Sequence, residues 1–267
     1  MCEFCVKHGE GKKWYLAMKN YSRELWEQNG RLEFTAEFTN TFERRMPGKL
    51  SRLAAVSATP LRGIARRLAT WHYKRIHFGQ VVPIEEIEQI LRQVDGIARL
   101  SCVCRRLTTG RKDVRYCYAL TADPRLADML DGSFNLEYLT AEKAIDAIRK
   151  LDDEGLIHTI WTFKTPFIGA ICNCDRDCVA YRICHARKYF PLMFHGEFVA
   201  QVDREKCNGC RNCLRQCQFG AIRYSSSGSN VEVDRQLCYG CGVCRATCAR
   251  DAITLSARPA VIESPVL

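Results

Sequence analysis

The chain has 267 residues, 47% of them apolar, 26% charged, a formal charge of +10 and 17 cysteines. Such a composition suits one or two globular domains and excludes a disordered, collagen-like or coiled-coil chain. No apolar run is long enough to span a bilayer, and Met1-Cys2-Glu3-Phe4-Cys5 does not read as a secretory leader, so a cytoplasmic location is expected, with the thiols acting as metal ligands rather than disulfides.

The first 30 residues open with Cys2-x2-Cys5-x2-His8, a spacing that could hold part of a metal site, and continue into a helical pattern through Trp14, Leu16, Met18, Tyr21, Leu25 and Trp26 that Asn29-Gly30 should end. Phe34, Phe38 and Phe42 then share one face of a predicted helix over 31–46, which Pro47-Gly48 is expected to break. Thr59 reads as an N-cap with Pro60 at the first helical position. The helix that follows carries Leu61, Ile64, Ala65, Leu68, Trp71 and His72 at helical spacing. No acidic residue stands between Glu43 and Glu85, whereas Arg44, Arg45, Lys49, Arg52, Arg62, Arg66, Arg67, Lys74 and Arg75 all do. The apolar stripe of this basic helix is expected to pack on its own domain, with His72 and His77 at the core edge or surface. The alternative is contact of residues 44–78 with a membrane surface or an acidic protein.

A third helix fits Ile84 to Val94, with Ile84, Ile87, Leu91 and Val94 inward and acidic residues in its first turn. Ile97–Val103 reads as a strand that delivers Cys102 and Cys104. A basic turn over Thr109–Lys112 leads into a second strand, Val114–Leu120, containing Cys117. Thr140 caps a helix carrying Ala144, Ile145, Ile148 and Leu151 that stops at Gly155, and Leu156–Phe163 reads as a strand containing His158, taken as a hydrogen-bonded strand residue. This helix, stop and strand near a basic turn resemble a winged helix, but nucleic acid is not the expected partner. Cys172-Asn-Cys174 with Cys178 forms the next concentration of thiols. Together with Cys102 and Cys104 it could hold a third iron-sulfur cluster or zinc, with Cys102, Cys104, Cys172 and Cys174 as first choices and Cys178 in reserve.

Last comes a duplication. Cys207-x2-Cys210-x2-Cys213-x3-Cys217 recurs as Cys238-x2-Cys241-x2-Cys244-x3-Cys248, offset by 31 residues, and the flanks Val202-Asp203-Arg204 and Ala221-Ile222 recur as Val233-Asp234-Arg235 and Ala252-Ile253. Gly209, Gly240 and Gly242 are suited to positive φ and close backbone approach. The spacing resembles that of bacterial two-cluster ferredoxins, in which three cysteines of one run hold a cluster and the fourth reaches the other. That resemblance implies one [4Fe-4S] cluster on Cys207, Cys210, Cys213 and Cys248, and a second on Cys238, Cys241, Cys244 and Cys217. Gln218 and Ala249 stand where the pattern usually has proline.

Over Val81–Leu255 the order Cys-x-Cys-Arg, a lone Cys117, Glu-Gly-Leu-Ile-His, Ile-Cys-Asn-Cys and Phe-x-Ala-x-Val-Asp before the two motifs resembles cysteine-rich ferredoxin-type proteins of anaerobes. It implies redox work beside a larger oxidoreductase or redox partner protein. The expected fold is α+β: a basic helical N-terminal region over 1–80, a cysteine-rich mixed α/β domain over 81–197, a two-cluster ferredoxin-like domain over 198–256 and a tail over 257–267. The expected function is electron transfer through two or three [4Fe-4S] clusters, with no acid, base or nucleophile arrangement indicating an independent catalyst. A catalytic or activator subunit using the third cluster is the alternative, and a redox-sensing DNA-binding regulator the remaining one.

Overall fold

The computed structural model describes residues 13–121 and 123–258, so the Cys2, Cys5 and His8 group lies outside the described residues. The elements confirm an α+β chain. The first helical stretch is shorter than its periodicity suggests: two 3-10 turns, Trp14–Leu16 and Met18–Tyr21, precede α1 (Arg23–Glu27). Trp14, Tyr15 and Tyr21 are all buried, and their polar ends are anchored: Trp14 Nε1 to Gln80 at 2.5 Å, the Tyr15 hydroxyl to Glu86 at 2.5 Å, and the Tyr21 hydroxyl to the Tyr15 carbonyl at 2.7 Å. Neighbouring aromatic residues that both point inward do not fit one stripe of an α-helix.

Helix α2 (Arg31–Ser57) runs through Pro47 instead of ending there. Pro47 and Gly48 are exposed, so the missing donor lies on the solvent side of α2, where a proline costs least. Thr59 and Pro60 lie in the turn before α3 (Arg62–Ile76), and the Thr59 hydroxyl donates to the Val56 carbonyl at the end of α2 rather than capping the next helix. The apolar stripe of α3 does not pack on its own domain. Leu61, Ile64 and Leu68 are 62–63% exposed and Trp71 56%, while the opposite side, with Ala69 and Tyr73, meets the core.

The remaining chain alternates strands and helices: β1 (Gly79–Val81), α4 (Ile84–Leu91), β2 (Ile97–Leu100), α5 (Val103–Thr109), β3 (Cys117–Leu120), α6 (Pro124–Met129), β4 (Glu137–Leu139), α7 (Ala141–Asp153), β5 (Ile157–Thr162), β6 (Ile168–Cys174), α8 (Val179–Tyr181, extended by a π-turn) and β7 (Met193–Phe194). The seven strands form one sheet in the order β4-β2-β3-β6-β5-β1-β7, antiparallel except for β1 beside β7. The winged-helix reading is thereby corrected, since β5 is a central strand and every one of its residues is buried.

Strand alternation sorts the two faces of this sheet. One face presents Tyr118, Ile160, Ile168 and Ile171 to Ile87, Ile90 and Leu91 of α4 and to Ala144, Ile145 and Ile148 of α7. Each buried isoleucine or leucine among them contributes about 1.5–3 kcal/mol relative to exposure. The other face carries Cys117, Cys172, Cys174 and Trp161 and is covered by α2, α5, α6 and the α8 segment.

Residues 198–258 add β8 (Phe198–Val202), α9 (Asn212–Gln216), β9 (Ile222–Ser225), β10 (Asn230–Val233) and β11 (Ile253–Ala257), with β8 pairing β11 and β9 pairing β10. Among the described residues no helix is long and apolar enough to cross a membrane.

Burial holds two imidazoles neutral. His77, between Phe38, Trp161 and Phe163, is pushed down to about 4, and His195, stacked on Tyr239, to about 3. The unfolded chain takes up these protons near 6.5 and the folded one does not, so stability is fully present above that pH and declines as pH falls below it. The melting temperature is expected to fall between about pH 6.5 and pH 5, above the range in which carboxylates titrate, and more shallowly in His77→Phe. A flat profile there would contradict this account.

Candidate iron-sulfur sites

The duplicated sequence folds as two halves with matching hydrogen bonds. Asp203 Oδ1 accepts from the backbone of Glu205 and Lys206, and Asp234 Oδ1 from Gln236 and Leu237. The Cys207 amide donates to the Asp203 carbonyl and the Cys238 amide to that of Asp234, at 3.0 and 2.9 Å. The halves interlock: the Asp203 amide donates to the Ala252 carbonyl of the second half and the Asp234 amide to the Ala221 carbonyl of the first. The fourth cysteine of each run is treated alike, Cys217 Sγ accepting from the Ala221 amide and Cys248 Sγ from the Ala252 amide, both at 3.3 Å.

Amides aimed at sulfur favour thiolate, whereas burial pushes Cys213 up to about 11 and Cys241 up to about 12. Thiols in this condition ionise when a cationic metal centre offsets the burial, which is the condition of a cluster ligand. Gly209 and Gly240 have φ of 67° and 73°, as expected. Their closest neighbours, however, are the Ser229 and Phe198 carbonyls, which a Cβ would strike, so these glycines admit a crossing backbone.

Upstream, the fold gathers six further thiols. Cys102 is not on a strand: it is the residue before α5, and Cys104 lies in the first turn of that helix. Cys172 and Cys174 lie on β6, Cys117 on β3 opposite Cys172, and Cys178 just before α8. Cys102 contacts Cys104 and Cys117, and Cys178 contacts Cys104 and Cys174. Cys117 meets Cys172 with sulfurs 3.8 Å apart. Cys178, held in reserve by the sequence reading, therefore stands among the first choices, and Cys172 is drawn toward Cys117. All six line a cavity of about 130 Å³.

Arg105 organises this group. Only 3% exposed, its Nη1 lies 3.5 Å from Cys102 Sγ, 3.7 Å from Cys178 Sγ and 3.3 Å from the Asn173 carbonyl, while Nη2 pairs with Asp175 at 2.5 Å and the guanidinium covers Tyr116. Hydrogen bonds from Cys104 and Cys174, with Arg105 adding its charge, bring Cys178 down to about 5, and Cys104 likewise lowers Cys102. A buried cation beside paired sulfurs favours thiolates there. Nothing in the spacing of Arg105 from the cysteines announced this role; Cys-x-Cys-Arg was legible only as a motif. A zinc ion would need four ligands converging at about 2.3 Å for sulfur. Among the described residues no group of three or more potential ligands converges as a single-ion site, in the repeat or upstream.

Residues 206–253 match the 4Fe-4S dicluster domain family. The match takes in all eight cysteines of the duplication and supports an iron-sulfur, ferredoxin-like domain at the C-terminal end, with cluster binding as its chemistry. No curated protein matches the chain.

The ferredoxin-like domain meets the rest of the chain along the Cys217 and Cys241 side. Gln218, in the place of the usual proline, donates to the Gly155 carbonyl at 2.6 Å and accepts the Tyr181 hydroxyl on its own carbonyl at 2.6 Å. Arg245 forms a two-pronged ion pair with Glu85 at 2.6 and 3.0 Å, and Phe219, Tyr239 and His195 form a continuous stack with centroids 3.9 and 3.8 Å apart. A polar relay ties this side to the upstream thiols. The Asn173 amide group donates to Tyr116, which leaves its Oδ1 to accept from His158 Nδ1 at 2.7 Å, and His158 Nε2 faces Asp152 at 3.1 Å. The Asp152 carbonyl accepts from the Gly155 amide at 2.8 Å, and the Gly155 carbonyl accepts from Gln218, so the relay ends beside the domain. His158 is thus the hydrogen-bonded strand residue expected. The far side of the domain carries Cys210, the exposed cysteine of the eight.

Gly240→Ala is expected to destabilise the ferredoxin-like domain by about 1–3 kcal/mol, because its Cβ adds a clash with the Phe198 carbonyl to an unfavourable positive φ. Denaturant unfolding followed by the visible absorbance of the clusters measures it, and an unchanged midpoint would contradict the packing described.

Proposed function

We propose that the chain is an electron-transfer protein or subunit with three iron-sulfur centres in series. The ferredoxin-like domain would hold two, on Cys207, Cys210, Cys213 and Cys248 and on Cys238, Cys241, Cys244 and Cys217. The third would sit on Cys102, Cys104, Cys174 and Cys178. One observation carries the reading: the upstream thiols gather on one sheet face around a buried arginine, and an Asn173-His158-Asp152 relay runs from them to the Gly155 turn that meets Gln218 of the domain.

Iron-sulfur clusters supply one-electron transfer at potentials set by hydrogen bonds, charge and burial. Here Arg105 would stabilise the more reduced, more negative state of the third site. The Ala221 and Ala252 amides would do the same at Cys217 and Cys248. Exposure of Cys210 favours exchange with an external redox partner at the outer end of the domain, in keeping with a subunit of a larger oxidoreductase complex.

Ligand variants test the order of sites. After anaerobic reconstitution, Cys174→Ser, Cys207→Ser and Cys241→Ser are each expected to lose about four of about twelve irons. Full iron in Cys174→Ser would remove the third centre, and full iron in Cys207→Ser would remove the first assignment.

The exposed stripe of α3 supports attachment to an anionic membrane surface. Leu61, Ile64, Leu68 and Trp71 form one unpacked apolar face, Arg67 flanks it, and the Arg75 guanidinium lies 3.8 Å over the Trp71 ring. Such a helix lies in the interface with its apolar side down and its arginines among the headgroups. The chain is expected to sediment with vesicles containing phosphatidylserine, not with phosphatidylcholine alone, and to lose that binding in Leu68→Glu. Equal binding of the variant would contradict it.

A further inference from the structure

Six thiols surround the upstream site and a [4Fe-4S] cluster takes four. Strand register singles out one pair. Cys102, Cys104 and Cys178 stand at or beside helix starts near Arg105, with Cys174 against Cys178, whereas Cys117, which also touches Cys102, faces Cys172 across β3 and β6 on the open floor of the sheet. Their register is informative. The Asn173 amide donates to the Tyr116 carbonyl at 3.0 Å, so the ladder hydrogen bonds flank Cys117 and Cys172 and the two form a non-hydrogen-bonded pair. In antiparallel sheets such pairs have their Cα atoms about 4.5 Å apart and their side chains closest together, inside the range that a disulfide spans without backbone movement. Rotation of side chains whose sulfurs now lie 3.8 Å apart would close the bond.

We propose that Cys117 and Cys172 are a redox-active dithiol that reduces a small apolar disulfide using electrons from the iron-sulfur centres. The proposal rests on the reading that the other four upstream thiols hold the third centre. Cys172, the more accessible of the two, is the attacking thiol, and Cys117, 7% exposed, the resolving one. The Cys172 thiolate attacks one substrate sulfur, forming a mixed disulfide and releasing the first product thiol. Cys117 attacks the mixed disulfide, releasing the second product thiol and leaving Cys117 and Cys172 bonded to each other. Two electrons, delivered singly from a low-potential one-electron donor through the ferredoxin-like domain, and two protons restore the dithiol. One disulfide, two electrons and two protons therefore give two thiols.

The cavity suits such a substrate. Ala119 and Ala170, the next same-face register pair along the two strands, leave the floor beside the dithiol open, and Phe38, Leu136 and Trp161 wall it with apolar surface. Two small residues at those positions are hard to explain by packing alone, since larger side chains would fill the space.

The reconstituted full-length chain is to be oxidised anaerobically with lipoamide, stripped of iron in acid, alkylated and mapped. The expected result is a Cys117–Cys172 disulfide with the other mapped cysteines alkylated. Dithionite-reduced protein should convert lipoamide to its dithiol. Cys117→Ser and Cys172→Ser should lose that turnover while keeping wild-type iron. Alkylation of both cysteines after oxidation would overturn the proposal, and so would loss of iron in either serine variant, which would make them ligands. If Cys174→Ser instead keeps all its iron, the third centre fails, and the disulfide map on the wild type still decides the dithiol separately.

Discussion

The upstream site depends on one buried charge. Arg105 sits almost wholly out of water among sulfurs, an aromatic ring and a single carboxylate. A buried guanidinium with so few anionic partners is costly unless the sulfurs around it carry negative charge. The pull is mutual: Cys178 and Cys102, with Asp175, hold Arg105 above its ordinary range against the burial that lowers it, and Arg105 adds to the hydrogen bonds that favour thiolate at both. Asp175 is the counter-ion that closes the arginine's coordination.

The same logic links the upstream thiols to the ferredoxin-like domain. The Tyr116 ring lies under Arg105, and the Tyr116 carbonyl accepts from the Asn173 side chain, which in turn orients His158 toward Asp152 at the edge of the ferredoxin-like domain. Gln218 and Gly155 lock that edge, Gly155 because a side chain there would collide with Gln216. The domain is held with its Cys217 and Cys241 side inward, and Cys210 is exposed, which is the orientation that the proposed function requires.

Much of this was legible in the residues. The 31-residue offset announced both halves of the ferredoxin-like domain, down to the paired aspartates and alanines, because a tight ligand loop leaves little freedom in sequence. Thr140 and Gly155 mark the ends of α7, and β5 is visible from its apolar run. What failed were judgements that depend on tertiary surroundings. Pro47 was read as a break although its face of α2 meets water, where the missing donor costs little. The stripe on α3 was assigned to the core because periodicity reports amphipathicity without saying what covers the apolar side. Cys102 and Cys104 read as the end of a strand over Ile97–Val103, whereas the chain turns into α5 after Leu100, and that turn brings them to Cys178. The pairing of Cys117 with Cys172 is a matter of strand register, which no local pattern in two separated segments specifies.

Iron and acid-labile sulfide of the wild-type chain, reconstituted without oxygen and combined with EPR spin counting of the fully reduced protein, test the central claim most directly. Three linked centres predict about twelve irons and about three spins per chain. About eight irons and about two spins would confine the clusters to the ferredoxin-like domain and contradict the account of the thiols around Arg105.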